Sequence, residues 1–518
     1  MSRLFALGLD GVGLDVWRRL CDRGWLPRLA PRFPVLAPLA STVPPLTAPA
    51  WTSIATGLNP GRHGVLDFWT RPSPGQPARL IGNSTTRTFW EVASAQGFGV
   101  GIFNYPLSYP PRPVNGFWVS GMNTPRGAAD LATPAALAAV LSDFTPDIAV
   151  EATGRRDLRR HLADRVAFLR ELIDLQAAHL AAGLRALRQS DPASLSLFVF
   201  ALTTTDRFLH FFWDCVAGAE ESESPPVALM ELARAFWLGL DEGVGHWFKT
   251  AAPDLEILFS DHGFGPSPEQ VFNMPVWIRD TDWHTGQLKP AAAVGRIGQA
   301  RAAVKDAAKR HLPAWVWRGL RARLASPYDS SAQAGSVRAE TLYGNVIGLT
   351  CPPGPAGVSV DAVLSAARAL RDPAGKPIFV WAERAEAVWP GERPGFPDGV
   401  ACLRDDLGAG ASPEDPRLLF PALPERLGDH STFGILGLGQ AGLAEADQPL
   451  RVWDIAPLAL QLIGAAIPDD LDGVLPLWVP GERLYVTLDA AGVAVAAGYS
   501  DDQTAEVTAR LKMLGYVD

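Results

Sequence analysis

The sequence predicts an α/β fold with a mostly parallel sheet flanked by helices. Short apolar runs at 3–9, 195–203 and 255–260 have the length and continuity of strands that are buried on both faces. Segments with helical spacing lie between these runs, for example at 14–23 and 226–248. This alternation of strands and helices is typical of a parallel sheet covered by helices.

Two regions predict insertions into this fold. From about 130 to 190, apolar residues recur at helical spacing, which indicates a helical insertion. From about 290 to 390 we expect a cap insertion, within which the run 296–323 has eight Lys/Arg and one acidic residue. Such a run is typical of a solvated helical face, although it could also hold an anionic substrate or lipid. We therefore expect a catalytic domain at 1–482 and a C-terminal strand pair and helix at 483–518.

Composition restricts the class of protein. The chain has 518 residues, 47% of them hydrophobic and 19% charged, as in a globular protein with a large core. A net charge of −9 argues against nucleic acid as the main partner, because phosphate backbones bind basic surfaces. The four cysteines form no CxxC pair, and no apolar run is long enough to span a membrane. These features predict a cytoplasmic protein and leave the oligomeric state open.

The stretch TVPPLTAPAWTSIATGLNPGRHGV at 42–65 predicts a helix that starts near Thr47 and ends at Gly57. Pro49 would lie in the first turn, where a missing N–H is tolerated. We expect Thr47 to be the N-cap residue of this helix, with its hydroxyl facing the free amides. The same place on a helix binds anions such as phosphate. Most threonines in this position only cap a helix, so a functional interpretation depends on the other motifs.

Acidic and histidine residues follow or precede the predicted strands. In open α/β sheets, ligands bind outside the carboxyl ends of the strands. Each residue alone would be explained by capping or packing, but five such places in one chain suggest a shared site. Carboxylates and imidazoles suit zinc or manganese, and two ions roughly 4 Å apart are typical of phosphoryl displacement. The candidate ligands are Asp10, Asp206, His210, Asp261, His262 and His430.

The motifs LGLDG, TAPAWTSIATGLNPGRHG, TDRFLH, SDHGF and GDHSTFGILGLG occur in this order between positions 7 and 439. In this order they resemble the alkaline phosphatase superfamily, in its type I phosphodiesterase/nucleotide pyrophosphatase branch. The stretch from LIGNSTTR to GMNTP and the ending RLKMLGYVD are also similar to bacterial and archaeal members described as phosphohydrolase/phosphomutase. The resemblance implies an alkaline-phosphatase-like fold.

The resemblance also implies a role for each candidate residue. Asp206, His210 and His430 would bind one divalent metal ion. Asp10, Asp261, His262 and the hydroxyl of Thr47 would bind the other. Thr47 would be the nucleophile and would form a phosphothreonine intermediate. The ions would be zinc, with manganese as the alternative, and the substrate a small-molecule phosphate ester, in particular a phosphodiester.

The motifs depart from relatives at two places. Nucleotide pyrophosphatases have an asparagine where this chain has Phe68, so we expect an apolar wall there and a preference for an organic leaving group over a nucleotide. Sulfatases need an arginine four residues after the nucleophile, where this chain has Trp51, so a sulfatase is disfavoured. His63 is expected to be structural and to tie the helix end to the following loop.

Two alternative functions remain open at the level of sequence. The first is a phosphomutase or phosphotransferase on the same core, resembling cofactor-independent phosphoglycerate mutase. The second is a metal-stabilised binding protein without turnover.

Overall fold

A computed structural model of the chain describes most of the sequence as two compact units. One unit consists of Met1–Pro266 with His430–Asp518, and the other is Ser267–Asp429. The basic run 296–323 lies outside the described residues, as do parts of both predicted insertions. The domain boundaries predicted above stay a prediction. The described residues are 2–70, 78–83, 86–147, 158, 161–218, 224–283, 285–288, 337–352, 358–391, 394–412, 415–421, 426–439, 449–476, 479, 481–487 and 499–514.

The strands are numbered in chain order. They are β1 Leu4–Leu9, β2 Leu36–Ala40, β3 Val100–Tyr105, β4 Gly116–Ser120, β5 Ala132–Thr133, β6 Leu197–Leu202, β7 Leu255–Phe259, β8 Gly263–Pro266, β9 Gln270–Asn273, β10 Thr281–Asp282, β11 Gln287–Leu288, β12 Arg338–Tyr343, β13 Val346–Thr350, β14 Phe379–Arg384, β15 Gly399–Leu403, β16 Leu407–Gly410, β17 Leu419–Pro421, β18 Gly428–Ser431, β19 Phe433–Leu438, β20 Leu450–Arg451, β21 Ile467–Pro468 and β22 Tyr485–Val486.

The α-helices are numbered in the same way, and short 3₁₀ turns occur at Ala30–Arg32, Pro192–Ser194, Trp213–Cys215 and Val452–Asp454. The helices are α1 Leu14–Asp22, α2 Thr47–Thr56, α3 Pro60–His63, α4 Phe89–Ala95, α5 Ala135–Val140, α6 Leu162–Gln189, α7 Thr204–Phe212, α8 Val227–Ala251, α9 Met274–Asp280, α10 Val360–Ala369, α11 Ala385–Val388, α12 Ile455–Ile463 and α13 Asp501–Met513.

A nine-stranded sheet forms the centre of the first unit. Its strand order is β20-β2-β19-β7-β1-β6-β3-β4-β5. Strands β7, β1, β6, β3 and β4 run parallel to one another. Strand β19 runs antiparallel between β7 and β2, and β5 runs antiparallel to β4. The predicted α/β fold with a mostly parallel sheet is therefore confirmed, although the strand GILGLG runs in the opposite direction to the central strands.

The register of the central strands brings the predicted ligands to one edge of this sheet. Leu4 pairs with Leu197 of β6 and with Leu255 of β7, so β1, β6 and β7 end at nearly the same level. All six residues of β1 and of β6 are buried, because helices cover both faces. The residues that follow β1, β6 and β7 consequently emerge side by side.

Aromatic packing holds the two longest helices against this sheet. Phe200 of β6 contacts Trp247 of α8 edge-on, with ring centroids 5.0 Å apart. The indole N–H of Trp247 donates to the carbonyl of Leu180 in α6. Gly183 allows α6 to approach α8, because a Cβ there would lie 2.7 Å from the Trp247 ring. The packing of α6, α8 and β6 fixes the amino end of α7.

The second unit has its own core. A four-stranded antiparallel sheet has the order β12-β13-β15-β14, and β9 pairs with β16 and β17 in a second small sheet. The rings of Phe272, Trp277 and Phe379 pack against one another at tilted or edge-on angles, with centroids 5.3–5.7 Å apart. Ile347 and Leu349 lie in the same buried cluster.

Several local features complete the description of the fold. The stretch 105–126, which is rich in Pro, Gly and Asn, contains β4, whose residues Phe117–Ser120 are buried. Asp454 directly precedes α12, and its carboxylate accepts from the N–H groups of Arg451 and Val474 without capping that helix. All four cysteine thiols are free. Among the described residues, no helix is both long enough and apolar enough to cross a membrane.

Candidate metal centre

Three predicted ligands form one compact group. Asp206 and His210 lie one turn apart on α7, and His430 lies on β18. The Nε2 atom of His430 is 3.0 Å from Oδ1 of Asp206 and 3.0 Å from Nε2 of His210. The His210 and Asp206 atoms are 3.5 Å apart, and all three side chains are almost completely buried. Ligands held about 2.0–2.1 Å from one tetrahedral ion would be about 3.3 Å apart, so this spacing fits a metal site.

A second group lies beside the first. Nε2 of His262 is 3.1 Å from Oδ2 of Asp261 and 3.5 Å from Oδ1 of Asp10. A carboxylate oxygen of Asp206 also lies within 4.8 Å of the ligand atoms of Asp10 and His262, so the two groups adjoin at Asp206. The rings of His262 and His430 stack with centroids 3.6 Å apart. The six side chains therefore offer two neighbouring sets of ligands.

Unpaired buried atoms show that the second group suits a cation. Oδ1 of Asp10, Oδ2 of Asp261 and Nε2 of His262 are buried, and apart from their close contacts with one another they have no hydrogen-bond partner. Burial of such groups without a partner is costly, and a divalent ion is an ordinary way to satisfy them. The residues present thus fit a metal by the chemistry of their donor atoms as well as by their spacing.

The second oxygen of each carboxylate is held by a neighbour. Oδ2 of Asp10 accepts from the indole N–H of Trp51 at 3.2 Å. Oδ1 of Asp261 accepts from the backbone N–H of Gly11 at 3.2 Å. Oδ2 of Asp206 accepts from Arg207 at 2.7 Å. Each carboxylate therefore presents its other oxygen to the site.

Two histidines are oriented in the same way. Nδ1 of His262 lies 3.1 Å from the carbonyl oxygen of Gly263, and Nδ1 of His430 lies 2.9 Å from that of Pro45. A carbonyl oxygen only accepts, so each Nδ1 carries the proton. In the neutral ring, the lone pair of each Nε2 then faces the site and is available to a metal ion, which is the usual arrangement for histidine ligands.

The structure corrects the predicted role of Thr47 as a helix cap. Helix α2 begins at Thr47, and Leu46 occupies the N-cap position without a side-chain hydrogen bond. Thr47 is fully buried, and its hydroxyl has no hydrogen-bond partner. The prediction was displaced by one residue, because Leu46 already has the extended backbone that an N-cap adopts.

Two contacts place the first turn of α2 beside both groups. Trp51 follows Thr47 by one turn on the same face of α2, and it donates to Asp10. The carbonyl of Pro45, two residues before Thr47, accepts from His430. The start of α2 therefore lies between a ligand of the second group and a ligand of the first.

Burial and neighbouring charges shift the pKa values of two of the candidate ligands. Burial raises the pKa of Asp10 well above its usual value, and the nearby Asp261 and Asp206 raise it further. Burial also opposes ionisation of Asp206, but His210, His430 and Arg207 outweigh it and hold the pKa of Asp206 well below the usual value. The pKa values of Asp10 and Asp206 are therefore shifted in opposite directions by their surroundings.

Two flanking residues test further expectations. His63 is confirmed as a structural link: its Nε2 is 2.9 Å from the hydroxyl of Ser53 in α2, and its Nδ1 accepts from the N–H of Val65. Burial lowers the pKa of His63 to about 3. Phe68 has no exposed surface. The expected apolar wall facing a substrate is therefore wrong for Phe68, since such a wall would leave part of the ring accessible.

Sequence reasoning did not find the groups that orient the ligands. Trp51 was used only to exclude a sulfatase, although its spacing of four from Thr47 puts it on the same helix face. Arg207 was part of the motif TDRFLH, and its position next to Asp206 gave no indication that it donates to that carboxylate. Backbone donors and acceptors such as Gly11 and Pro45 carry no sequence signal.

The family-model match and the fold together make the chain a phosphoric ester hydrolase with an alkaline-phosphatase-like fold. The family is shown by the match of a family model to residues 4–338, about two thirds of the chain. The chain belongs to the type I phosphodiesterase/nucleotide pyrophosphatase family.

Solved structures with a similar fold include phosphonoacetate hydrolase from Sinorhizobium meliloti 1021. Its complex with phosphonoacetate has a TM-score of 0.54 at 17% identity, and its complex with phosphonoformate has 0.53 at 16%. Each alignment covers 89% of this chain and 96% of that one. Human ectonucleotide pyrophosphatase/phosphodiesterase 5 aligns over 92% of this chain and 97% of its own, at 12% identity and a TM-score of 0.48. No curated protein matches the chain.

Proposed function

We propose that the protein hydrolyses phosphodiesters with two divalent metal ions and a phosphothreonine intermediate on Thr47. The observation that carries this proposal is the hydroxyl of Thr47, which is fully buried and has no hydrogen-bond partner. A buried hydroxyl without a partner costs about 1–3 kcal/mol. An unsatisfied group of this kind in a native structure is often found where a reaction needs it.

The ligands would divide as the spacing suggests. When bound, zinc or manganese lowers the pKa of a coordinated hydroxyl and neutralises charge on phosphate oxygens. The first group would hold one ion and the second group, with the hydroxyl of Thr47, the other. The first group is Asp206, His210 and His430, and the second is Asp10, Asp261 and His262.

The chain's own residues would carry out two displacements at phosphorus. Oγ of Thr47 would form a bond to phosphorus as the bond to the first alcohol breaks; the hydroxyl proton passes to water, and the alcohol leaves with a proton. A water molecule would then attack the same phosphorus and release a phosphomonoester, restoring Thr47. The net reaction consumes one water. Trp51, Gly11 and Arg207 would hold the three carboxylates in place throughout.

The substrate would be a small-molecule phosphate ester. The asparagine expected in nucleotide-cleaving relatives is absent at Phe68, so we propose that a simple phosphodiester is cleaved better than a dinucleoside pyrophosphate. A cytoplasmic location stays a prediction; the four free thiols agree with a reducing compartment.

A metal panel tests the proposed function. Metal-free protein would be reconstituted with zinc, manganese or magnesium and assayed with an aryl phosphodiester, an aryl phosphomonoester and a dinucleoside pyrophosphate. Turnover should require added metal, and kcat/KM should be highest for the diester. In oxygen-18 water the phosphomonoester should carry the label. An unlabelled, isomerised product would favour the phosphomutase alternative, and absence of any metal-dependent turnover would overturn the proposal.

A further inference from the structure

The guanidinium of Arg207 joins a candidate metal ligand to a second buried carboxylate. Its Nη1 donates to Oδ2 of Asp206 at 2.7 Å, and its Nη2 donates to Oδ2 of Asp147 at 2.9 Å. The three side chains are between 0 and 2% exposed. They form a buried triad, Asp147–Arg207–Asp206, with the sulfur of Met122 3.5 Å from Nη2.

Stability alone does not account for this triad. The desolvation of buried charges is expensive, and apolar side chains of similar volume often replace a buried ion pair without loss of stability. One carboxylate would also be enough to neutralise one guanidinium. The triad contains two, and the second belongs to Asp206, which faces the histidines of the site.

The geometry of Asp206 indicates what the triad does. A carboxylate that is free to rotate offers a metal ion either oxygen or both. Here Oδ2 is held by Arg207, whereas Oδ1 lies 3.0 Å from Nε2 of His430 and 3.5 Å from Nε2 of His210. Oδ1 is thus directed at both histidine nitrogens.

We propose that Arg207, held by Asp147, is a positioning residue that fixes Asp206 as a single-oxygen ligand. It thereby sets the affinity for the ion bound by Asp206, His210 and His430. This inference rests on the proposed function, because it requires that the group binds a metal. It adds a determinant of metal affinity that lies outside the ligands themselves.

The planar fork of an arginine suits this role. Its two terminal nitrogens reach two carboxylates at once, in fixed directions. A lysine at position 207 would keep the charge but not the two fixed donor directions. Asp147 would then neutralise the cation without constraining Asp206.

The test measures zinc binding to metal-free protein by competition with a chromophoric chelator. The main variant is the double substitution Arg207→Met with Asp147→Asn, which removes one positive and one negative charge and so leaves the net charge unchanged. It should weaken the binding of one of the two zinc ions by about 10- to 100-fold, and it should leave the affinity for the other ion unchanged. Arg207→Lys should weaken the same ion by a smaller factor.

A matched control removes a comparable ion pair elsewhere in the same unit. Arg112 donates to both oxygens of Glu91, each at 2.6 Å, and the two side chains are 11% and 13% exposed. Arg112→Met with Glu91→Gln should lower the melting temperature of the metal-free protein but leave both zinc affinities as in the wild type. A structural role for Arg207 would predict the same behaviour for both double variants.

The outcomes separate this inference from the proposed function. Selective loss of one zinc ion in folded Arg207 variants supports the positioning role. Wild-type affinity for both ions in folded Arg207→Met/Asp147→Asn overturns the positioning role and leaves the two-metal function intact. If that double variant does not fold, wild-type affinity for both ions in Arg207→Lys overturns the positioning role instead. A wild-type protein that binds fewer than two zinc ions overturns the two-metal function and this inference with it.

Discussion

The unpaired hydroxyl of Thr47 leads to a prediction of opposite sign for two threonines on the same helix. Thr47 and Thr52 both lie on α2, and they are 0% and 6% exposed. The hydroxyl of Thr47 has no hydrogen-bond partner, whereas that of Thr52 donates to the carbonyl of Ala48 at 2.8 Å. Valine has almost the shape of threonine and a similar helix propensity. Replacement by valine therefore removes the hydroxyl and changes little else.

The magnitudes follow from the state of each hydroxyl. Thr47→Val removes a buried group that costs about 1–3 kcal/mol, so it should stabilise the metal-free protein by about 1 kcal/mol or more. Thr52→Val loses a hydrogen bond with a net value of about 0.5–1.5 kcal/mol and should be destabilising. We expect the two variants to differ by about 2 kcal/mol.

Urea unfolding of the metal-free proteins, followed by circular dichroism, measures this difference. The midpoint for Thr47→Val should rise and that for Thr52→Val should fall, with unchanged slopes. Thr47→Val should also lose turnover, whereas Thr52→Val should keep it. If Thr47→Val is as destabilised as Thr52→Val, the hydroxyl of Thr47 is paired in the folded protein and the reasoning from its lack of a partner is refuted.

Three further predictions concern the metals, pH and packing. The purified protein should bind about two divalent ions per chain. His430→Gln and Asp261→Asn should each lower the metal content by about one ion. Saturation of the wild type at a single ion would exclude two sites. Because burial lowers the pKa of His63 to about 3, from an ordinary value of about 6.5, the unfolded chain takes up a proton that the folded chain refuses. The stability of the wild type relative to His63→Gln should therefore fall as the pH drops below about 6.5 in a pH series of urea unfolding curves, and a difference that stays constant with pH would contradict the lowered pKa of His63. Gly8→Ala would drive a Cβ into the Trp51 ring, with Cζ3 2.9 Å away, and should cost about 1–3 kcal/mol of stability. The added Cβ of Gly239→Ala in α8 meets no atom within 4 Å, so this variant should be more stable by about 0.5–1 kcal/mol. Equal unfolding midpoints for the two variants would contradict the packing argument.

The features that sequence predicted well have local signals. The strand Leu4–Leu9 is a short run of apolar residues, and Asp206 and His210 are spaced by one helical turn, so both could be predicted without knowledge of distant contacts. The motifs also gave the family, because their order along the chain is specific. The ligand set follows from the same motifs and remains a prediction, although its six side chains lie close together in the structure.

The features that sequence missed depend on contacts between distant segments. The direction of β19 is set by pairing with β7 and β2, and nothing in GILGLG distinguishes parallel from antiparallel. The contact of Trp51 with Asp10 spans 41 residues, and that of Arg207 with Asp147 spans 60. The predicted N-cap was displaced by one residue. The extended backbone of the N-cap lies at Leu46, and Thr47 is already the first residue of the helix.

The most direct test of the central claim is to trap the covalent intermediate. Zinc-reconstituted protein would be mixed with excess aryl phosphodiester, quenched in acid within milliseconds to seconds, and analysed by intact mass and peptide mapping. We expect one aryl-phosphoryl group per chain, on the hydroxyl of Thr47, and no adduct in Thr47→Val. Turnover at the wild-type rate by Thr47→Val, or an adduct on another residue, would contradict it.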